Sequence, residues 1–222
     1  MTNIKAVIFD LDDTLIHSRI NYKKMKSSII NFLINVGVQP SLLSEDMLNF
    51  EILRAAIEDL RKKETPENVI RKINNEVNAI MNKVELESLN DAKLRKGALE
   101  VLYDLKKRDI KIGIITNGCK DYAISIVRKF SIERYIDAII ARDEISNSKP
   151  DPEHLLTMLK ILQVKTKEAI FVGDHWIDAL CARNAGVRFI LLKDKKEGRL
   201  SKTANCVRFE IIEDLRDLLS FL

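Results

Sequence analysis

Apolar residues along this chain follow two rhythms. Short, nearly continuous runs recur at Ile4-Lys5-Ala6-Val7-Ile8-Phe9, Ile110-Lys111-Ile112-Gly113-Ile114-Ile115, Ala138-Ile139-Ile140-Ala141, Ala169-Ile170-Phe171-Val172 and Val187-Arg188-Phe189-Ile190-Leu191-Leu192. Each has strand length, and a run with little polar alternation suits a strand covered on both faces of a parallel sheet. Between the runs, Leu99, Leu102 and Leu105, then Ile124, Val127 and Phe130, then Leu155, Leu159 and Leu162 recur at helical spacing. Strand alternating with helix predicts an α/β fold with a doubly wound, Rossmann-like parallel sheet. In such sheets ligands lie beyond the carboxyl ends of the strands, where the strand order reverses. Polar residues at those ends are therefore the site candidates.

Residues 17–93 break the alternation. A crossover needs only about a dozen residues, so this stretch reads as an inserted second domain. Its apolar positions, among them Ile29, Leu33, Ile52, Ala56, Leu60, Ile70, Ile73, Val77, Met81 and Val84, recur at helical intervals without strand-like alternation. The pattern predicts a bundle of about four helices. Gly37-Val38-Gln39-Pro40 reads as a helix stop, and Thr65-Pro66-Glu67 as an N-cap followed by proline at the first helical position. The expected division is an α/β core over residues 1–16 and 94–222 and a helical domain over residues 17–93.

Composition narrows the classes. With 222 residues and 46% hydrophobic side chains the chain can bury a real core. No run approaches the ~20 apolar residues of a membrane span, and the opening run, short and ended by carboxylates, is not a signal peptide. The expectation is a soluble, cytoplasmic protein without a membrane partner. Cys119, Cys181 and Cys206 form neither a metal-binding spacing nor an even disulfide framework. The net charge of +4 is spread along the whole chain, so no basic block marks a nucleic-acid footprint. A monomer or homodimer is expected.

The chemistry-bearing residues stand where the apolar runs stop. Asp10 and Asp12 follow the first run, Thr116 and Asn117 the second, Lys149 follows the third in Ser148-Lys149-Pro150, and Asp174 with Asp178 follows the fourth in Gly173-Asp174-His175-Trp176-Ile177-Asp178. Singly each has an ordinary reading as a helix cap, a strand-end hydroxyl or a solvated loop charge. As an ordered set they carry more weight. Asp13 and Asp151 read equally well as turn or capping residues. His17, His154 and Cys119 read as solvated or packed side chains, and Trp176 as packing.

In order and spacing the set resembles the motifs of the haloacid dehalogenase-like hydrolase superfamily: Asp-x-Asp-x-Thr, a strand-end Thr or Ser, a Lys, and Gly-Asp-x-x-x-Asp. The likeness spans the α/β core, and the insert resembles, by place and size, the helical cap of one subgroup, with phosphoglycolate phosphatase-like enzymes the nearest analogy. The resemblance implies that Asp10 attacks phosphorus to form an aspartyl-phosphate while Asp12 serves as general acid and then base. It implies that Thr116, Asn117 and Lys149 hold the phosphoryl group, with backbone N–H groups after Thr116 adding a helix N-terminus. It further implies that Mg2+ is bound by Asp10, the backbone carbonyl of Asp12 and Asp174, with Asp178 supporting them. Hard oxygen ligands of this kind suit magnesium rather than zinc. The expected activity is hydrolysis of a small phosphorylated metabolite. A phosphomutase or a dehalogenase of the same superfamily and a non-catalytic regulatory protein on the same scaffold are the alternatives.

Overall fold

A computed structural model describes residues 3–193 and 209–222, so Cys206 lies outside the described residues. The chain divides into two compact units, Met1–Ser18 with Asp91–Leu222, and Arg19–Asn90.

The larger unit contains, in chain order, strands β1 (Ala6–Phe9), β2 (Ile16–His17) and β3 (Lys93–Leu94). It continues through β4 (Lys111–Ile115), β5 (Ala138–Ile140), β6 (Ala169–Gly173), β7 (Arg188–Leu192) and β8 (Glu210–Ile212). Six of these form one sheet in the order β5-β4-β1-β6-β7-β8, and all five pairings are parallel. The short β2 and β3 pair separately and antiparallel. This is the expected Rossmann-like core. Strand β1 lies at its centre, with Ile8 in register with Gly113 on one side and Phe171 on the other. All four of its side chains are fully buried, which is why its sequence lacks polar alternation. The edge strand β8 does not stand out in the sequence because Glu210 leaves it only Ile211 and Ile212 as apolar residues, whereas the other edge strand, β5, of equal length, lies in the unbroken run Ala138-Ile139-Ile140-Ala141.

The smaller unit carries α1 (Tyr22–Asn35), α2 (Asn49–Lys62) and α3 (Glu67–Glu87) around a core that includes Met25, Ile29, Leu33, Ile52, Leu60, Ile73, Val77 and Met81. Three helices stand where the periodicity suggested about four. The chain after α1 passes Gly37 at φ +95° and makes only a 3-10 turn at Pro40–Leu42. The polar stretch Ser44-Glu45-Asp46 that follows has no apolar stripe to bury. The later apolar positions fall on one helix of 21 residues, and Pro66 stands just before it in extended geometry without a side-chain cap, so Thr65 is not the N-cap.

In the larger unit, α4 (Ala98–Lys107), α5 (Lys120–Lys129), α6 (Pro152–Leu162) and α7 (Trp176–Ala185) connect the strands of the sheet. Leu155, Met158 and Leu159 of α6 and Ala179 and Ala182 of α7 pack in one cluster with Ile8, Phe171 and Phe189. Asp151 caps α6 by accepting a hydrogen bond from the Glu153 N–H at 2.8 Å, and Pro152 occupies the first helical position. No helix among the described residues is long and apolar enough to cross a membrane.

Candidate active site

Chain order runs outward from β1 to β4 and β5, then returns to β6 on the other side of β1 before continuing to β7 and β8. The reversal places the loops after β1, β4 and β6 around one crevice at the carboxyl edge. Asp10 follows β1 and its N–H donates to the Val172 carbonyl at 2.9 Å, while the Thr116 N–H donates to the Ile140 carbonyl at 3.1 Å. Lys149 lies between β5 and α6, Asp174 follows β6, and Asp178 sits in the first turn of α7.

Lys149 is the centre of a buried ion network. Its Nζ is 2.5 Å from Asp10 Oδ1 and 2.7 Å from Asp178 Oδ1, and the three residues are 3%, 6% and 2% exposed. The ring of Phe171 lies below the ammonium, 5.7 Å from centroid to Nζ. Asp178 also accepts from the His175 N–H at 3.1 Å, so the start of α7 holds it in place. Gly173 is required here: a Cβ at that position would come within 2.6 Å of Asp178 Cβ and of its carboxyl carbon.

Three carboxylates, Asp10, Asp174 and Asp178, present oxygens within 4.8 Å of one another. Burial raises the Asp10 carboxyl well above its usual range; Lys149 opposes the shift, and Asp178, Asp174 and Asp12 add to it. Burial, then Asp178 and Asp13, raise Asp174 to about 7, against the Thr14 hydroxyl 3.1 Å away and Lys149. Burial works against the charge on Lys149, yet Asp10 and Asp178 together hold its pKa above the ordinary lysine value. One ammonium among these acids leaves the pocket short of positive charge. A hard divalent cation among the oxygens would supply it, so the donor set fits magnesium.

Asp12 is engaged elsewhere. Its Oδ1 accepts from the Tyr122 hydroxyl at 2.8 Å and its Oδ2 from Thr116 Oγ1 at 3.3 Å, and its carboxyl group is not part of the trio. Asp13 takes the left-handed conformation at φ +57°, accepts from the Ser18 N–H and hydroxyl, and has its backbone carbonyl held by Arg95. The Asn117 side chain donates to the Lys149 carbonyl at 2.9 Å and so ties two of the loops together. The Asn117 carbonyl in turn accepts from Arg142 Nη1 at 2.6 Å.

The helix start expected after Thr116 falls at Cys119, the N-cap of α5. Cys119 is extended, α5 begins at Lys120, and the Gly118 N–H is turned back onto Thr116 Oγ1 at 2.9 Å. Thr14, Tyr122, Arg95 and Arg142 escaped assignment from the sequence. Thr14 stood inside the first motif and could have been read from it. Tyr122 falls on the buried stripe of α5 with Ile126, where helical spacing reads any aromatic residue as core.

His154 is wholly buried with Nε2 3.0 Å from the Ile140 carbonyl, away from solvent as the packed reading required. His175 caps α7 through Nδ1, 3.3 Å from the Ile177 N–H, and its ring lies 5.6 Å from that of Trp176. The buried Cys181 thiol donates to the Asp151 carbonyl at 3.2 Å and is pushed up to about 12 by burial.

The haloacid dehalogenase-like hydrolase family matches residues 7–192. A pyrophosphatase PpaX of Bacillus cereus is 26% identical over 219 residues, spanning 99% of this chain and 96% of its own. A phosphoglycolate phosphatase of Pseudomonas fluorescens is 28% identical over 204 residues, spanning 85% of this chain and 69% of its own. The crystal structure of a haloacid dehalogenase superfamily hydrolase from Geobacter sulfurreducens has a TM-score of 0.58 at 24% identity, covering 99% of this chain and all of the other, a likeness of fold.

Proposed function

The chain belongs to the haloacid dehalogenase-like hydrolase family, and from that membership we propose that it is a magnesium-dependent phosphatase that cleaves a small phosphorylated metabolite through an aspartyl-phosphate. The observation that carries this reading is the meeting of Asp10, Lys149 and Asp178 at 2.5 and 2.7 Å with Asp174 beside them.

Phosphate monoesters resist hydrolysis so strongly that enzymes supply up to ~10²¹-fold acceleration. The first obstacle is repulsion between a carboxylate and an anionic phosphoryl group. Asp10, Asp174 and the backbone carbonyl of Asp12, with Asp178 in support, would hold Mg2+, which when bound would supply positive charge that screens this repulsion. Lys149 holds Asp10 Oδ1 and orients the nucleophile. A carboxylate oxygen of Asp10 attacks phosphorus, the bond from phosphorus to the ester oxygen breaks, and Asp12 gives its proton to the departing oxygen. Water then attacks the aspartyl-phosphate, Asp12 takes a proton from it, and inorganic phosphate leaves as the Asp10 carboxylate is restored. Asn117 and Lys149 steady the phosphoryl oxygens, joined by Thr116 when its single hydroxyl hydrogen turns from Asp12 to the substrate. The helical unit is assigned the choice of leaving group, as its likeness to a family cap domain implies.

The test is phosphate release from an aryl phosphate with Mg2+, with a chelator, and with Asp10→Asn. Turnover that needs Mg2+ and disappears in the variant supports the mechanism; Mg2+-dependent turnover persisting in Asp10→Asn sinks it. A folded wild-type protein without activity on the aryl ester or on a panel of sugar phosphates, phosphoglycolate, nucleotides and inorganic pyrophosphate would leave the non-catalytic reading. Inorganic pyrophosphate belongs in the panel because the PpaX relative is matched nearly end to end.

A further inference from the structure

We propose that Tyr122 is a positioning residue for Asp12, holding its carboxyl group where it can protonate the departing oxygen; the inference rests on the function proposed above. Tyr122 lies at the start of α5 and is fully buried, yet its hydroxyl reaches Asp12 Oδ1 at 2.8 Å. Thr116 Oγ1 holds the second oxygen from the loop after β4 at 3.3 Å. Two donors from separate segments, one on each oxygen, fix the plane of a carboxyl group that otherwise turns about two side-chain torsions on a loop.

Such control matters for proton transfer. An acid works only within hydrogen-bond reach of the atom it protonates, and a displacement of ~1 Å far from the bond being broken can cost ~10²-fold in rate. The surroundings are built to allow the contact. Gly118 lies against the ring, and a Cβ there would sit 3.1 Å from Tyr122 Cδ1 and 3.3 Å from Thr116 Oγ1. The small residue lets the phenol and the threonine hydroxyl approach Asp12 side by side. The apolar stripe formed with Ala123, Ile126 and Val127 accounts for a buried ring at this position. It does not account for a hydroxyl.

Tyr122→Phe keeps the ring and removes the donor. The measurement is kcat/KM, which reports events through departure of the leaving group, on an aryl phosphate and on a simple alkyl phosphate. An aryloxide leaves with little help, whereas an alkoxide needs the proton. The expected loss is at least about tenfold on the alkyl ester and under about threefold on the aryl ester, part of the ~10²–10⁴-fold that a positioned acid supplies. In an Asp12→Asn background, which by itself widens the alkyl-to-aryl gap, adding Tyr122→Phe should leave that gap unchanged. Unfolding midpoints and Mg2+ affinity of the folded variants serve as controls.

Equal losses on both esters, or none on the alkyl ester, would reduce Tyr122 to packing while leaving the proposed function intact. If Asp12→Asn itself leaves the gap unchanged, the acid role of Asp12 falls and this inference with it. Should Tyr122→Phe not fold, Gly118→Ala provides a second reading, since its Cβ crowds the phenol away from Asp12. The same widened gap is expected there, and an unchanged gap overturns the inference.

Discussion

Lys149 and Asp10 are 139 positions apart in the chain, and Lys149 Nζ meets Asp10 Oδ1 at 2.5 Å. Asp178 approaches the same ammonium at 2.7 Å, so a single cation is shared by two buried carboxylates. Lys149→Met retains the length of the side chain and removes the charge. Stripping one member from a buried ion pair costs about 3–5 kcal/mol. Urea unfolding in chelator at pH 7.5 should therefore show a loss of about 3 kcal/mol. The deficit should shrink between pH 7.5 and pH 5, because falling pH favours protonation of the raised Asp10 carboxyl, which then no longer needs its partner. Turnover should fall by on the order of 10²–10³-fold. Wild-type stability at both pH values would mean that the network does not carry the charge balance described.

Under the proposed function Asp174, raised to about 7, would link metal binding to pH. A metal ligand must be deprotonated, so Mg2+ competes with the proton on this carboxyl. Below about pH 7, apparent Mg2+ affinity should fall by up to about tenfold per pH unit for this group. The metal-free fold should respond in the opposite sense. Because the folded pKa exceeds the unfolded value of 3.8, this group contributes stability that is complete below 3.8 and is lost as pH rises through 7. Added Mg2+ should thus raise the thermal midpoint more at pH 8 than at pH 6, and scanning calorimetry at the two pH values decides the matter.

His154 has the reverse linkage. Burial first, then the positive charge of Lys149, lowers its pKa from 6.5 to about 4, against the pull of the Ile140 carbonyl and Asp178. A depressed folded pKa contributes stability that is present above 6.5 and is lost as pH falls through about 4, because the unfolded histidine protonates first. At full extent this amounts to about 3 kcal/mol. His154→Gln removes the titration and keeps a donor for the Ile140 carbonyl. Comparing wild type with that variant between pH 7 and pH 4.5 separates the effect from the carboxylates of opposite sign. If both proteins lose the same stability over this interval, the buried neutral imidazole is not the cause.

Gly173→Ala tests how closely the end of β6 approaches α7. Its Cβ would lie 2.6 Å from Asp178 Cβ, an atom fixed to the helix backbone rather than the free end of a side chain. Strand or helix has to move, at about 1–3 kcal/mol by analogy with overpacked cores. Displacing Asp178 should also weaken Mg2+ binding. Crystallographic or NMR observation of an undisturbed Asp178 to Lys149 contact in the alanine variant would contradict this.

Legibility in the sequence followed burial symmetry. Strands β1, β4, β5, β6 and β7 could be read because a strand covered on both faces is written as an apolar run, as in Ala6-Val7-Ile8-Phe9. Strands β2 and β3 escaped, being two residues long, and β8 escaped because Glu210 leaves only two apolar residues in it, whereas β5 of equal length stands in the unbroken run Ala138-Ile139-Ile140-Ala141. Within residues 19–90, periodicity placed the apolar positions on helices but miscounted them. It cannot distinguish one long helix from two in line, and α3 runs on through positions that could have held a break.

At the site, the run endings and the motif order already singled out Asp10, Asp12, Thr116, Asn117, Lys149, Asp174 and Asp178. The local alternation of covered and uncovered residues thereby determined the fold class and the strand ends on which chemistry can stand. Only the tertiary structure decided which side chains share a charge or a proton. It paired Lys149 with Asp10 and Asp178, put Tyr122 on Asp12, and set Gly173 beneath Asp178. Periodicity records which face of an element is buried. A hydrogen bond depends on a distance of about 3 Å between residues far apart in the chain, and only the packing of the sheet and its crossover helices brings them that close.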